Sequence, residues 1–252
     1  MKLVTFNIRC DYDQDGVNCF RFRIPGILAA FARERADVYC FQEVLPHVAS
    51  WLREALPEYT LVGCGRGEDL DGERVTVAFR KERFDLMKMD TFWLSPTPEI
   101  PGSRYPDQSI CPRTCTAVVL HDLNEDGVLR VLNTHLDHEG AGARRAGLEQ
   151  ILNYEQAEKF FAGVPTVLAG DFNAEPGSPE LFPLESSSVW RSAVPEAWET
   201  FHNYGRQKNC TIDYIFLKGN IRCSAAGRWT ESENGVYLSD HYPVWSELEY
   251  TL

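Results

Sequence analysis

Residues 168–180 read LAGDFNAEPGSPE. Leu168 and Ala169 close an apolar run that begins near Thr166. At Gly170 the run gives way to Asp171, Phe172 and Asn173, and then Pro176, Gly177 and Pro179 break the chain up. A core strand therefore ends in an acid and an amide on either side of an aromatic, where the backbone turns. Strand alternation sends Phe172 to the face opposite its two neighbours, so Phe172 is expected to pack while Asp171 and Asn173 project together.

The same pattern recurs along the chain. Asn7 follows LVTF, Gln42 and Glu43 follow VYCF, Asn133 and His135 interrupt LRVLNTHL, Asp213 lies in TIDYIF, and Asp240 and His241 precede YPVW. A lone polar residue at a strand end is ordinarily a turn former or a cap. Six burials of unpartnered polar groups, each costing about 1–3 kcal/mol, make sense only if the groups meet one another or a ligand. Carboxylates, amides and imidazoles without cysteine are hard oxygen and nitrogen donors. Such a set suits Mg²⁺ or Mn²⁺ held by one or two carboxylates together with a substrate phosphate. An imidazole beside an acid, as with His241 and Asp213, can carry positive charge opposite a phosphate, and Asp171 can orient or deprotonate a water.

Composition narrows the partners. The chain has 252 residues, 44% of them hydrophobic, and a net charge of −12. No linker or composition shift divides it, so residues 1–252 read as one domain with a core large enough to need no staples. Polyanion binding draws its affinity from Lys and Arg displacing counterions, so the acidic balance argues against duplex DNA and anionic membranes. It leaves room for a small phosphorylated substrate, which responds to the local field. None of the eight cysteines sits in a C-x-x-C pair, and reduced thiols are expected. Met1 runs straight into the strand-like KLVTFNIR, with no apolar signal segment and no membrane span elsewhere. A cytoplasmic protein of open oligomeric state is the corresponding expectation.

Val-, Ile-, Thr- and aromatic-rich runs bounded by turn residues predict strands at 2–8, 37–44, 76–80, 114–121, 128–136, 165–172, 211–217 and 242–250. Three helices fall between them. One carries Ile24, Ile27, Leu28 and Phe31 on a single face. A second carries Val48, Trp51, Leu52 and Leu56, and a third carries Leu148, Ile151 and Leu152 with its stripe running on to Phe160. Asp126-Gly127 marks a hairpin turn. The mixture predicts an α/β fold of mixed sheets covered by helices.

Six segments, TFNIR, FQEV, NTHLDH, GDFN, IDYIF and SDHYPV, occur in this order from residue 5 to residue 244. Together they resemble the endonuclease/exonuclease/phosphatase superfamily, which includes DNase I, inositol-polyphosphate 5-phosphatases and the Ccr4/nocturnin deadenylases. The resemblance implies a four-layer α/β/β/α sandwich of two mixed β-sheets flanked by helices. It also implies a Mg²⁺-dependent (or Mn²⁺-dependent) phosphohydrolase that directs water at a phosphodiester or phosphomonoester. By that resemblance Glu43 is the main metal ligand, with Asn7 and Asp240 close to the metal. Asp171 activates the water, Asn173 donates to the phosphate, His241 held by Asp213 contacts the phosphate, and His135 is a further phosphate-binding or acid histidine. Some nucleases of the family carry an acid where Arg9 stands, so one tightly held metal is expected, with Arg9 on substrate phosphate or in a surface ion pair.

The segments DGVNCFRFR, DTFWLSPTPEIPG, CPRT and ETFHNYG resemble a bacterial branch of the family. Asn18, Arg23, Glu73, Arg113, Arg144 and His202 are candidates to shape the substrate pocket, Trp93 reads as stacking or core, and Arg206 to Lys208 read as a solvated loop. NTHLDH and SDHYPV lean toward the Ccr4/nocturnin side, hence toward a nucleotide or short single-stranded nucleic acid. The acidic surface leans instead toward a soluble sugar or inositol phosphate. A catalytically silent binding protein on the same fold is the alternative from a different class.

Overall fold

Alternation along the strands sorts the side chains into layers. The computed structural model describes residues 1–194, 198–207 and 209–251. Its elements run β1 (Lys2–Asn7), α1 (Phe20–Glu34), β2 (Val38–Val44), α2 (Pro46–Ala55), β3 (Tyr59–Val62), β4 (Arg74–Arg80), β5 (Phe84–Trp93), β6 (Thr114–Asp122) and β7 (Gly127–His135). They continue as α3 (Ala141–Ala157), β8 (Thr166–Asp171), α4 (Phe182–Glu185), β9 (Trp190–Ser192), β10 (Asp213–Lys218), β11 (Ile221–Arg228), β12 (Ser232–Glu233), β13 (Val236–Tyr237) and β14 (Val244–Tyr250). One six-stranded sheet has the order β11-β14-β1-β2-β4-β3 and the other β5-β6-β7-β8-β10-β9. Each contains one parallel pair, β1 with β2 and β7 with β8, among antiparallel neighbours. Both sheets are therefore mixed, as expected.

In β1 and β2, Val4, Phe6, Tyr39 and Phe41 face outward onto Ile27 and Phe31 of α1 and Val48 and Leu52 of α2. On the second sheet, Leu132, Leu168, Phe172 and Phe216 face Leu148 and Ile151 of α3. The alternate residues, Leu3, Val38 and Cys40 from one sheet and Val131, Val167, Ala169 and Ile215 from the other, meet in the middle. The result is helices, sheet, sheet, helices: the four-layer DNase I-like sandwich. Phe172 is fully buried with its ring 5.3 Å from that of Tyr214, on the face opposite Asp171 as alternation requires.

All the strands read from sequence are present within a few residues, and Asp122 pairs with Gly127 across the Asp126 turn. The short strand β3, YTLV, is not anticipated although it is rich in β-formers, and two longer ones are missed because their β-propensity is weak. The edge strand β5 is FDLMKMDTFW with Leu86, Met87 and Met89 exposed, and β11 is IRCSAAGR, held by pairing to β14 across a bulge. Helix α3 stops at Ala157, so the expected stripe does not reach Phe160, which is exposed. Trp93 is core, and its indole N–H donates to the Arg66 carbonyl at 2.7 Å. Arg206 is exposed in its loop, whereas Lys208 lies outside the described residues. The eight cysteines are free thiols, and no helix among the described residues is long and apolar enough to cross a membrane.

The middle layer turns polar at one end. Strand β2 carries an extra residue there: Phe41 pairs with Thr76 but Val44 pairs with Arg74. The bulge frees carbonyls, and Asn133 of the opposite sheet takes them, its amide donating to Phe41 O at 2.9 Å and Thr76 O at 3.0 Å. Gln42 in turn donates to Asn133 Oδ1 at 2.7 Å. The same end needs Gly170, because a Cβ there would lie 1.9 Å from Thr134 O of the adjoining strand. Asn133→Ala should strip the Phe41 and Thr76 carbonyls of this donor at once, while Gln42 keeps Thr5 Oγ1 and Cys40 O. At about 1 kcal/mol or more for each buried polar group left unmatched, unfolding free energy in urea should fall by roughly 2 kcal/mol. A loss below about 0.5 kcal/mol would show that the cross-sheet amide is not needed.

Candidate active site

Because β1 and β2 run parallel, as do β7 and β8, their C-terminal ends gather at the polar end of the middle layer. Strand β10 is antiparallel to β8 and contributes its beginning. Asn7, His135 and Asp171 thus follow Leu3, Val131 and Val167 on one face by even steps, and Asp213 precedes Ile215 and Leu217 in the same way. Glu43 is out of step, and the bulge restores it: its backbone turns left-handed, φ 59°. Arg9 (φ 59°) and Asn173 (φ 48°) make comparable turns just beyond their strands. Asp240 and His241 arrive on the loop before β14, braced by N–H donors of His202 and Asn203 on the Asp240 carbonyl.

Asn7 ties these groups together. Its Oδ1 accepts the Arg9 N–H at 3.0 Å, which fixes the amide's orientation, since a backbone N–H only donates. Nδ2 then donates its two hydrogens to Glu43 Oε1 and Asp171 Oδ2, each at 3.0 Å. His241 Nε2 lies 3.4 Å from the same nitrogen and carries its own proton, while its Nδ1 sits 2.8 Å from Asp213 Oδ2. Asp171 Oδ1 accepts the Asn173 N–H at 2.9 Å, and His135 Nε2 lies 3.4 Å from Asp171 Oδ2. The Asn173 amide donates to Leu136 O at 3.1 Å.

Burial and neighbouring charge set the protonation states. Asp171 is pushed up to about 7, first by burial and then by the negative charge of Asp213, with His241 opposing. For His241, burial alone would lower its affinity for the proton. The carboxylates of Asp213, Asp171 and Asp240 outweigh that and raise it to about 10, so it is an imidazolium at neutral pH. His135 is driven well down by burial and the Arg113 charge and is neutral. Burial would raise Glu43, yet the Cys10 N–H at 2.9 Å, the Arg9 charge and the Asn7 amide hold it below the usual range. Asp240 is raised by burial and by the charge of Glu43.

Two carboxylates that repel each other, Asp240 buried and Glu43 half-buried, beside an amide oxygen are a hard-donor set, which fits Mg²⁺ or Mn²⁺. Glu43, Asp240 and Asn7 are the residues that could hold such an ion. Asp171, Asp213 and His241 also bring one ligand atom each within 4.8 Å, but their hydrogen bonds read as an array that orients an imidazolium next to a carboxylate.

These groups floor a cleft of about 400 Å³. Of the residues nominated for the pocket, Arg9, Glu73 and Arg113 line it. Arg9 lines it while paired to Asp15 at 3.1 Å and lying 3.5 Å from Asp240. The structure does not bring the other four to the cleft. Arg23 is wholly buried and donates to the carbonyls of Asn18, Ile8, Leu238 and Arg9. Asn18 bonds Gly235 O and the Tyr237 N–H. Arg144 clamps Glu180 at 2.6 Å and the Asp137 carbonyl at 3.0 Å. His202 stacks on Tyr242 at 4.0 Å and is lowered to about 4, chiefly by burial. Arg66, Tyr12, His138 and Phe201 also line the cleft; His138 lies inside NTHLDH and Phe201 inside ETFHNYG, whereas Arg66 and Tyr12 lie in no motif.

A four-layer sandwich whose strand ends converge on buried acids and an imidazolium defines a phosphoester hydrolase. The chain belongs to the endonuclease/exonuclease/phosphatase family, whose sequence model matches residues 4–241. Members of that family are generally metal-dependent. Among solved structures, an endonuclease/exonuclease/phosphatase of Bacteroides vulgatus is similar at 29% identity, with 99% of this chain and 98% of that one covered and a TM-score of 0.91. A mannosyl-6-phosphatase of Bacteroides thetaiotaomicron is similar at 25% identity, 99% and 100% coverage and a TM-score of 0.91. The human nocturnin catalytic domain shares the fold, with 20% identity, 100% and 93% coverage and a TM-score of 0.80. No curated protein sequence matches.

Asp137, the acid of NTHLDH, organises one wall. It accepts N–H groups of Ser109 (3.0 Å), Glu139 (3.1 Å) and Gly140 (2.8 Å) together with the Ser109 hydroxyl. Burial would raise its pKa, but these donors outweigh it and hold it at about 2. A depressed carboxylate stabilises the fold above its ordinary value and stops doing so as pH falls through the folded one. Asp137→Asn should therefore cost about 2 kcal/mol at pH 7, and the gap to wild type should close between about pH 4 and pH 2. A gap constant across that range in urea titrations would show that the charge is not what counts.

Proposed function

We propose that the protein is a Mg²⁺- or Mn²⁺-dependent hydrolase of a small, soluble phosphate ester, with sugar phosphates favoured over single-stranded nucleic acid. The observation that carries this reading is the cleft itself. At about 400 Å³ it falls in the range of small-molecule sites. Its wall mixes the Arg66–Glu73 ion pair with Arg113 and His138, a set that suits hydroxyls as well as phosphate oxygens. The net charge of −12 works against a long polyanion. The mannosyl-6-phosphatase, similar over both full lengths, supports the same substrate class. The complete set Asn7, Glu43, Asp171, Asn173, Asp240 and His241 speaks against a silent binding protein.

In this reading Glu43, Asn7 and Asp240 would hold the metal ion, which would supply charge neutralisation at the phosphate and favour an ionised water. Asp171, tuned near neutrality and fixed by the Asn7 and Asn173 donors, orients the attacking water and takes its proton. The water oxygen bonds to phosphorus as the bond from phosphorus to the ester oxygen breaks. The departing alkoxide is protonated from solvent, giving an alcohol and inorganic phosphate. His241, locked by Asp213, directs its Nε2 proton at a phosphate oxygen. His135, being neutral, is suited to donate a hydrogen bond and poorly suited to act as the acid.

Hydrolysis of hexose phosphates and of oligonucleotides, each with Mg²⁺, Mn²⁺ or EDTA, tests the class. Release of phosphate from the sugars, abolished by EDTA, is the expected result, and turnover of oligonucleotides alone would reverse the preference. Asp171→Asn should lower kcat by about 10²–10⁴-fold with the melting temperature kept, and full activity would remove the assigned role. Glu43→Gln should raise the half-saturating Mg²⁺ concentration by about tenfold or more. An unchanged metal dependence would mean that Glu43 is not the ligand.

A further inference from the structure

Arg113, just before β6, is buried in the cleft wall with only 4% of its surface exposed. One nitrogen, NH2, lies 2.8 Å from His138 Nδ1. Nε is 3.6 Å from Asp137 Oδ1, near enough for charge attraction but beyond hydrogen-bond reach. Nε and NH1 are buried and have no hydrogen-bond acceptor among the described residues. A second guanidinium, Arg66, paired with Glu73, lines the same cleft and repels Arg113, and His135 and Asp171 line it as well. Asp137 fixes the segments on both sides of this arginine through Ser109 and Gly140. Two guanidinium groups lining one cleft, one of them with unused donors, suit an anion, and a planar guanidinium reads oxyanions as a fork.

We infer that Arg113 is the residue that selects phosphomonoesters: its free donors take a terminal phosphate oxygen that a diester does not have. A monoester carries two negative charges and three terminal oxygens at neutral pH. A diester carries one charge and two such oxygens, and its second alkyl or aryl group would confront a buried guanidinium whose donors stay unused. Desolvated charge left without a partner is strongly unfavourable, so the diester is discriminated against by what it fails to satisfy. Asp137 is then a positioning residue, acting through Arg113.

This inference rests on the reading of the cleft as a phosphate-ester hydrolase, and two readouts keep the questions apart. The first is kcat/KM with Mg²⁺ for p-nitrophenyl phosphate and bis-p-nitrophenyl phosphate. The second is calorimetric binding of inorganic phosphate, which needs no turnover. Wild type should prefer the monoester. Arg113→Met should lose about 100-fold on it and less than about threefold on the diester, with phosphate affinity down about tenfold or more. Arg113→Lys, which keeps the charge and serves should the Met variant not fold, should recover part of the monoester rate without the full preference. Parallel losses on both esters with unchanged phosphate binding would overturn the assignment, as would a wild-type preference for the diester. Phosphate binding that depends on Arg113 without turnover of either ester would uphold the receptor and remove the hydrolase reading.

Discussion

A single primary amide, that of Asn7, joins the two sheets at the end where the chemistry sits. Its oxygen is claimed by a backbone N–H and its two hydrogens by one carboxylate from each sheet. Apolar packing in the middle layer is non-directional and tolerates small slides between sheets. Hydrogen bonds weaken steeply with misalignment. The placement of Glu43 relative to Asp171 is therefore governed by Asn7, with Gln42 and Asn133 as a second tie beneath it. Remove that directional layer and the same hydrophobic core would still bring the sheets together, without holding the acids in register.

The site also shows how an acidic protein accommodates a phosphorylated ligand. Among the described residues the cleft gathers Arg9, Arg66, Arg113 and an imidazolium at His241. Net charge describes encounter at long range, and beyond about 10 Å it is screened in ordinary salt. Within the cleft the local charges decide, and there cations and carboxylates alternate. Burial, with the negative charge of Asp213 added to it, raises Asp171, and against its own burial the imidazole of His241 is held protonated by the carboxylates around it.

Where the sequence was legible, periodicity coincided with burial. Strands such as LVTF and TVLAG announce themselves because their β-branched and aromatic residues pack on both faces, and their terminal polar residues stand out for the same reason. Strand β11, with Ser224, Ala225, Ala226 and Gly227, hides because its structure comes from pairing: the Trp245 ring occupies the space a side chain at Gly227 would need. Arg23 and Arg144 look like anion ligands in sequence, since nothing in a motif says whether a guanidinium will meet a phosphate or a carbonyl. Arg66 was overlooked for the opposite reason, lying in a loop without periodicity. Its position comes from the Trp93 indole and the Glu73 carboxylate, and no motif says that either would hold a loop arginine.

The left-handed backbone at Arg9, Glu43 and Asn173 has an evolutionary corollary. Each costs on the order of 1 kcal/mol that glycine would not incur, and each lets a functional side chain leave its strand at the required angle. Substitutions that relax these turns are open to selection for robustness, and every one of them discards a side chain that lines the cleft. Lineages released from the need for catalysis should accordingly drift first at these three positions, toward glycine, while the apolar layers around them stay as they are. The working end of the sandwich is thus the part whose persistence depends on use, and its three turns are where disuse would register earliest.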